Sequence, residues 1–425
     1  MKPVMRRARL IPVSGIGSAS EAERRAASAF LAVLGVVRDL SAALLGPLGA
    51  PGAKRAAVEA FAEVQFTSRE KTDRPDGLIR VSFGNKTWTA IVEVKTKSDA
   101  LTSEQVNRYW NIARREKFDH MVTISNEIAP GPGVHPTIGL RVTKASPVKV
   151  SHLSWSEILL IAVRIREHTP VEDREQAWLL NELIRYLEHP ASGVLSFDDM
   201  GPSWVTIREG AQANTLSRRT AGIADVVDRW GQLIRFAALR LASEVGEDVS
   251  IRLDDQKEQV AALCSDGVLN ASLHIPKTAG DLKIQADVRA KKIEAAVTVR
   301  APQNLGPVGR VSWLVKQVGG AAPNLSIENY PKNSSIPTIA SLGAVLDDRG
   351  ELLGPDRRVP YRFKLVSRTQ MGAGRKAGAR RKSFIGSVLD TVDKFYETVI
   401  QEIDEWRPPV PKRKVTPKQE GSREN

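Results

Sequence analysis

The chain has 425 residues, 42% hydrophobic and 26% charged, which excludes a wholly disordered or collagen-like protein and leaves room for two or three cored domains. It carries 62 Lys+Arg against 49 Asp+Glu, a formal charge of +13 that suits a polyanionic partner such as nucleic acid without requiring one. The single cysteine, Cys264, excludes an intrachain disulfide and favours a reducing, cytoplasmic compartment. No run approaches the ~18 continuous apolar residues of a membrane span, so no membrane partner is expected. The basic start, Met1 to Arg9, is not followed by the ~7-residue apolar core of a signal peptide.

Residues 1–18 read as a flexible basic arm. Ser18 with Glu21 forms a capping box that opens a helix over 21–45, with Phe30, Leu31, Leu34, Val37, Leu40 and Leu44 on its apolar face. Gly46, Pro47, Gly49, Pro51 and Gly52 end it. A second helix is expected over 54–63, running into a strand at 64–66. Residues 78–83 and 87–95 read as strands joined by the two-residue turn Gly84-Asn85. A helix over 103–117, a strand over 120–125, a Pro/Gly loop over 130–136, and strands at 139–144 and 148–153 complete an α/β domain spanning 19–153.

From Ser154 the pattern turns helical, giving a helical region at 154–248. Ser154 and Glu157 form a capping box for a helix through Ile158, Leu159, Ala162 and Ile165. Further helices are expected over 172–187 and 222–245. Residues 249–370 switch to period two, as in 282–289, and predict a mainly antiparallel β domain with a short helix at 311–317. Cys264 is expected in an apolar strand, as a buried small hydrophobe. Residues 371–425 hold a basic segment (Arg375, Lys376, Arg380, Arg381, Lys382), a helix over 383–406 and a polar tail expected to be disordered. The helices over 222–245 and 383–406 either pair chains as a homodimer, hold a partner protein, or form core.

The hairpin carries the chemistry. With Gly84-Asn85 as the turn, paired residues have numbers summing to 169, which sets Asp76 opposite Glu93, Cβ atoms roughly 5 Å apart. Two neighbouring carboxylates repel, so a cation is needed to offset them. Oxygen ligation suits Mg²⁺, with Mn²⁺ as substitute. Period two places Lys95 on the face of Glu93, where an ammonium orients water or stabilises charge at phosphorus. The six histidines and the cysteine show no zinc spacing, and no phosphate-binding G-x4-G-K-[ST] loop occurs.

At Pro75-Asp76 and Glu93-Val94-Lys95 the sequence resembles the PD-(D/E)xK nuclease superfamily. Gln105 and Tyr109, at i and i+4, resemble the Q-x3-Y motif of its RecB-type branch. The resemblance covers about residues 55–125. It implies a restriction-endonuclease-like α/β core followed by the helical middle and the antiparallel β domain. It also implies a Mg²⁺-dependent nuclease acting on nucleic acid, DNA before RNA, of the kind used in defence or repair. Asp76 and Glu93 would be metal ligands, joined by an upstream acid, Glu63 first and Glu59 second. Lys95 would be catalytic, with Gln105 and Tyr109 supporting it. Lys86, Lys97, Arg108, Arg114 and Arg115 would counter phosphate repulsion. The alternative is an inactive nucleic-acid-binding or assembly protein of the same fold.

Overall fold

The computed structural model describes residues 4–7, 21–67, 72–96, 101–129, 134–137, 139–143, 145–189, 192–194, 197–377 and 382–406. In chain order the elements are β1 (Val4–Arg7), α1 (Glu21–Leu34), α2 (Arg38–Leu45), β2 (Ala57–Thr67), β3 (Thr72–Asp73), β4 (Gly77–Phe83), β5 (Lys86–Val94), α3 (Ser103–Arg115), β6 (His120–Ser125) and β7 (Lys149–Ser154). Then come α4 (Trp155–His168), α5 (Arg174–Glu188), α6 (Trp204–Gln212), α7 (Ile223–Val245), β8 (Ser250–Arg252), α8 (Gln256–Ser265), β9 (Val268–His274) and β10 (Leu282–Asp287). The last are β11 (Lys292–Arg300), α9 (Pro307–Val318), β12 (Ser326–Pro331), β13 (Thr338–Ser341), α10 (Leu342–Asp347), β14 (Pro360–Gln370) and α11 (Phe384–Phe395).

The protein is mixed α/β with two sheets. The first has the order β1-β2-β4-β5-β6-β7, with β3 paired to β2. Its β1 to β5 pairings are antiparallel, while β5-β6 and β6-β7 are parallel. The second, antiparallel, runs β13-β12-β14-β11-β10-β9-β8. Two compact units are present. One comprises Met1–Pro276, Leu282–Ala295 and Arg368–Asp393, and the other Lys277–Asp281, Ala296–Ser367 and Lys394–Asn425. No single helix among the described residues is long and apolar enough to cross a membrane.

Both faces of the first sheet are covered. On one, α1, α2, α4 and α5 bury Phe30, Leu34, Leu40, Trp155, Ile158 and Leu183 against Ile79, Ala90, Val92 and Val122. On the other, α3 buries Val106, Tyr109 and Trp110 against Leu78, Ile91 and Met121. The near-continuous apolar run of β5 follows from burial on both sides. The division expected at 153 is therefore not a core boundary, because α4 and α5 share the core of the sheet.

Several elements differ from expectation. The helix over 21–45 is two helices bent by 106° at Gly35 to Val37. Val37 is extended (ψ 100°) and fully buried, so the apolar spacing runs through the bend and hides it. The helix over 54–63 is strand β2. Glu63 has φ +53° there, a bulge that sets Phe61 and Val64 on one face and mimics helical i, i+3 spacing. Residues 139–143 form no strand. Cys264 lies on α8, whose N-cap Asp255 forms a capping box with Glu258. Of the arm at 1–18, Val4–Arg7 is β1, antiparallel to β2. α6 was not expected. The helix over 383–406 ends at Phe395 and continues as one π turn, Tyr396–Ile400. Ser18, Lys97, Arg380, Arg381 and the tail from 407 lie outside the described residues.

Candidate metal and lysine site

The hairpin register is the expected one: Phe83 pairs with Lys86 and Gly77 with Val92, so the next position brings Asp76 to Glu93. Asp76 precedes β4 and is held by main chain on both sides. Its Oδ2 accepts from the Val94 N–H at 2.8 Å, and its carbonyl accepts from the Glu63 N–H at 3.1 Å. The β2 bulge at Glu63 is thus what ties the Pro75-Asp76 turn to the sheet.

Lys95 follows β5. Its N–H donates to the Ile124 carbonyl at 2.8 Å, and its carbonyl accepts from the Trp155 indole N–H at 2.9 Å. Trp155 is fully buried and packs edge-on against Phe30 at 5.8 Å, so α4 and α1 both brace the lysine backbone. The Lys95 ammonium lies 3.3 Å from Glu93 Oε1 and 2.9 Å from Glu23 Oε1. Glu23 arrives on the first turn of α1. That approach requires Gly77: a Cβ there would stand 2.5 Å from Leu31 of α1.

α3 supplies the third side. Thr102 caps it, accepting from the Gln105 N–H at 3.2 Å, which sets Gln105 on the turn facing the strand end. The Gln105 amide donates to Glu93 Oε1. Tyr109 is buried and its hydroxyl donates to the Arg74 carbonyl at 3.2 Å, two residues before Asp76. Tyr109 therefore holds the turn rather than touching the carboxylates. Arg108 lies over the Tyr109 ring at 4.9 Å and 3.5 Å from Asp73.

Burial dominates the electrostatics. Desolvation pushes the Asp76 carboxyl up to about 6; the Val94 N–H opposes this, Glu23 adds to it, and Lys95 opposes it again. Desolvation and then the Asp76 charge push Glu93 up to about 9, with Lys95 opposing. Burial alone would lower Lys95, but Glu93 and Glu23 outweigh it and hold the ammonium above its ordinary value. The set is short of positive charge. Glu93 Oε2 is buried without a hydrogen-bond partner, and an unpaired buried carboxylate oxygen is costly.

Those features fit a divalent cation held by Asp76 and Glu93, the remaining positions being water or phosphate oxygen. Among the described residues no group of three His, Cys, Asp or Glu closes around one point, so the protein itself would supply two carboxylates. Glu63 joins through its main chain; its half-buried side chain is not among the chief groups acting on Asp76 or Glu93. Glu59 faces Arg80 across β2 and β4, 3.8 Å away. The acid brought into the site from upstream is Glu23. In the sequence it is one more acidic residue in a helix's first turn, which favours acids anyway. Trp155, at the start of α4, has no local sequence signal that ties it to the lysine. Of the expected phosphate-facing cations, Lys86 is exposed, Arg114 lies over Trp110 at 4.9 Å and Arg115 pairs with Glu116 at 2.9 Å. Comparison with protein-family models, with curated proteins and with solved structures returns no match.

Proposed function

We propose that the protein is a Mg²⁺-dependent nuclease, with Mn²⁺ able to substitute, acting on DNA in the cytoplasm. Its first sheet and flanking helices would serve as a restriction-endonuclease-like core. The observation that carries this reading is the triad of Asp76, Glu93 and Lys95, a half-buried acid, a buried acid and an amine converging at one strand end. A bound Mg²⁺ would polarise the scissile phosphate and acidify a coordinated water. Asp76 and Glu93 hold the cation, and the Val94 N–H and Gln105 amide fix how they face. Lys95 stays protonated, so it orients water and balances charge developing at phosphorus rather than removing a proton. Tyr109 keeps the Pro75-Asp76 turn in place.

One observation favours the alternative, a non-catalytic nucleic-acid-binding protein. Lys95 is already neutralised by Glu23 and Glu93, as in a structural ion-pair network. Incubation with plasmid, linear and single-stranded DNA and with RNA, in Mg²⁺, Mn²⁺ or EDTA, separates the two. The nuclease reading expects metal-dependent cleavage that Lys95→Ala reduces by ~10²-fold or more. Absence of cleavage with either metal, or cleavage unchanged in Lys95→Ala, removes it.

A further inference from the structure

The second sheet ends at β13, which bonds to β12 alone. The pairing is antiparallel, with Thr338 opposite Asn329 and Ser341 opposite Ser326. The next N–H, that of Leu342, donates to the Leu325 carbonyl at 2.8 Å. By the alternation of an antiparallel ladder, Thr338 and Ala340 then turn their main-chain groups to β12, while Ile339 and Ser341 turn theirs to the open edge. Pro337, two residues before Ile339, turns its carbonyl the same way. No described residue bonds to the main-chain groups of Ile339, to the Ser341 N–H or to the Pro337 carbonyl. Ile339 is 60% exposed, and Ile336 just before the strand is 69% exposed. Across the ladder from Ile339 stand Glu328 and then Lys364, so the face is polar except at this edge. Folded proteins ordinarily blunt such an edge with charge, and β13 carries none.

We propose that β13 pairs with β13 of a second copy of this chain, antiparallel about a two-fold axis at Ile339. The edge offers an uneven set of groups. Pro337 has a carbonyl but no N–H. Ile339 has both. Ser341 has an N–H, but it is the N-cap of α10, so its carbonyl already serves the first helical turn. An ordinary strand laid here would leave one of its carbonyls facing the Pro337 nitrogen and one of its N–H groups facing an engaged carbonyl. In the two-fold pairing, residues equally far from Ile339 oppose each other. Ile339 meets Ile339 and each donates to the other. Pro337 meets Ser341, so the missing donor lies opposite the engaged acceptor, and the Ser341 N–H donates to the Pro337 carbonyl. Every available donor then finds an acceptor. A register that sets Ile339 opposite Pro337 or Ser341 loses this match. The two exposed Ile339 side chains come together on one face, and because both edges are consumed the association closes at a dimer.

The test is the mass of the full chain in solution, read by sedimentation from about 1 to about 500 µM. A monomer–dimer equilibrium with a micromolar to sub-millimolar constant is expected. Ile339→Pro deletes the central N–H, and Ile339→Lys sets two like charges against each other. Each is expected to weaken the dimer by about 10-fold or more, with melting curves reporting the fold. Val308→Lys, at an exposed apolar residue of α9, is expected to leave it within about twofold. In a Cys264→Ser background, Ile339→Cys is expected to join two chains on mild oxidation and Val308→Cys is not. Opposed, bonded residues stand about 5.5 Å apart at Cα, within the span of a disulfide. A chain that stays monomeric at about 500 µM, a dimer left intact by Ile339→Pro and Ile339→Lys, or an equal loss in Val308→Lys overturns the proposal.

Discussion

The chain contains the same local pattern, an acid two residues before a lysine, in both sheets, and its fate differs. In the first sheet Glu93 and Lys95 are 3% and 15% exposed and meet Asp76 and Glu23. In the second sheet's region Asp255 caps α8, accepting from the Glu258 N–H at 2.9 Å, while Lys257 is exposed. At Asp281 and Lys283 the pattern sits at the start of β10 with the lysine again exposed. Three residues do not make a site. The neighbour across the hairpin and the crossing of α1 do, because they place further charges where water cannot screen them.

The strongest test of that contrast is the lysine series under metal-dependent cleavage conditions. Lys95→Ala and Glu93→Gln are expected to lower the rate by ~10²–10³-fold, whereas Lys257→Ala and Lys283→Ala leave it within about twofold. Equal losses across the series would mean that the lysines act as bulk positive charge. Glu23→Gln belongs to the same experiment. Removing its negative charge from beside Lys95 is expected to lower the rate by about 10-fold or more, through a mis-set ammonium.

The contrast also has a pH signature. Asp76 and Glu93 titrate above their ordinary values in the fold, near 6 and near 9. Between about pH 4 and those values the folded chain keeps protons that the unfolded chain has lost. Stability without metal therefore falls as pH rises, up to about 6 through Asp76 and on toward 9 through Glu93 alone, by up to ~1.4 kcal/mol per pH unit for each group within its window. Divalent metal, which binds the deprotonated pair, should flatten that decline, and Glu93→Gln should remove most of it. Guanidinium melts at pH 6.5, 7.5 and 8.5, with and without Mg²⁺, read this directly. A metal-free decline that is unchanged in Glu93→Gln would assign the effect elsewhere.

Much of this geometry was legible because a two-residue turn fixes register. Gly84-Asn85 settles which residues oppose, so Asp76, Glu93 and the side of Lys95 follow from counting. What stayed hidden depends on departures from period. The φ +53° bulge at Glu63 made a strand read as a helix, and the extended Val37 made two helices read as one. Glu23 and Trp155 enter the site from α1 and α4, 72 and 60 residues from Lys95. No local pattern encodes a contact of that separation. The cue lies on the receiving side, where a glycine at 77 opens an otherwise bulky strand and marks where another element comes close.

A counterpart to the carboxylate pair lies in the row of polar side chains beside it. Glu93, Thr123 and His152 are register partners on β5, β6 and β7. His152 Nε2–H donates to the Glu127 carbonyl at 2.7 Å, so its Nδ1 accepts from the Thr123 hydroxyl at 2.9 Å. That hydroxyl in turn accepts from His135 Nε2–H at 2.8 Å, and His135 Nδ1 accepts from the Thr137 N–H at 3.0 Å. Both ring nitrogens of His135 and of His152 are committed in the neutral form, and a proton on either Nδ1 would meet a donor. Burial accordingly lowers His135 to about 4 and His152 to about 3. The sign is opposite to that of the acids: the unfolded chain takes up protons below about pH 6.5 while the fold does not, so stability is lost as pH falls through that window. Between pH 4 and 6.5 the two effects oppose each other, and Glu93→Gln leaves only the Asp76 part of the opposing limb. In that variant a steeper acid-side loss than in the wild type is expected, and adding His152→Asn should make it shallower. The same slope with and without His152 would mean that the row does not titrate as a unit.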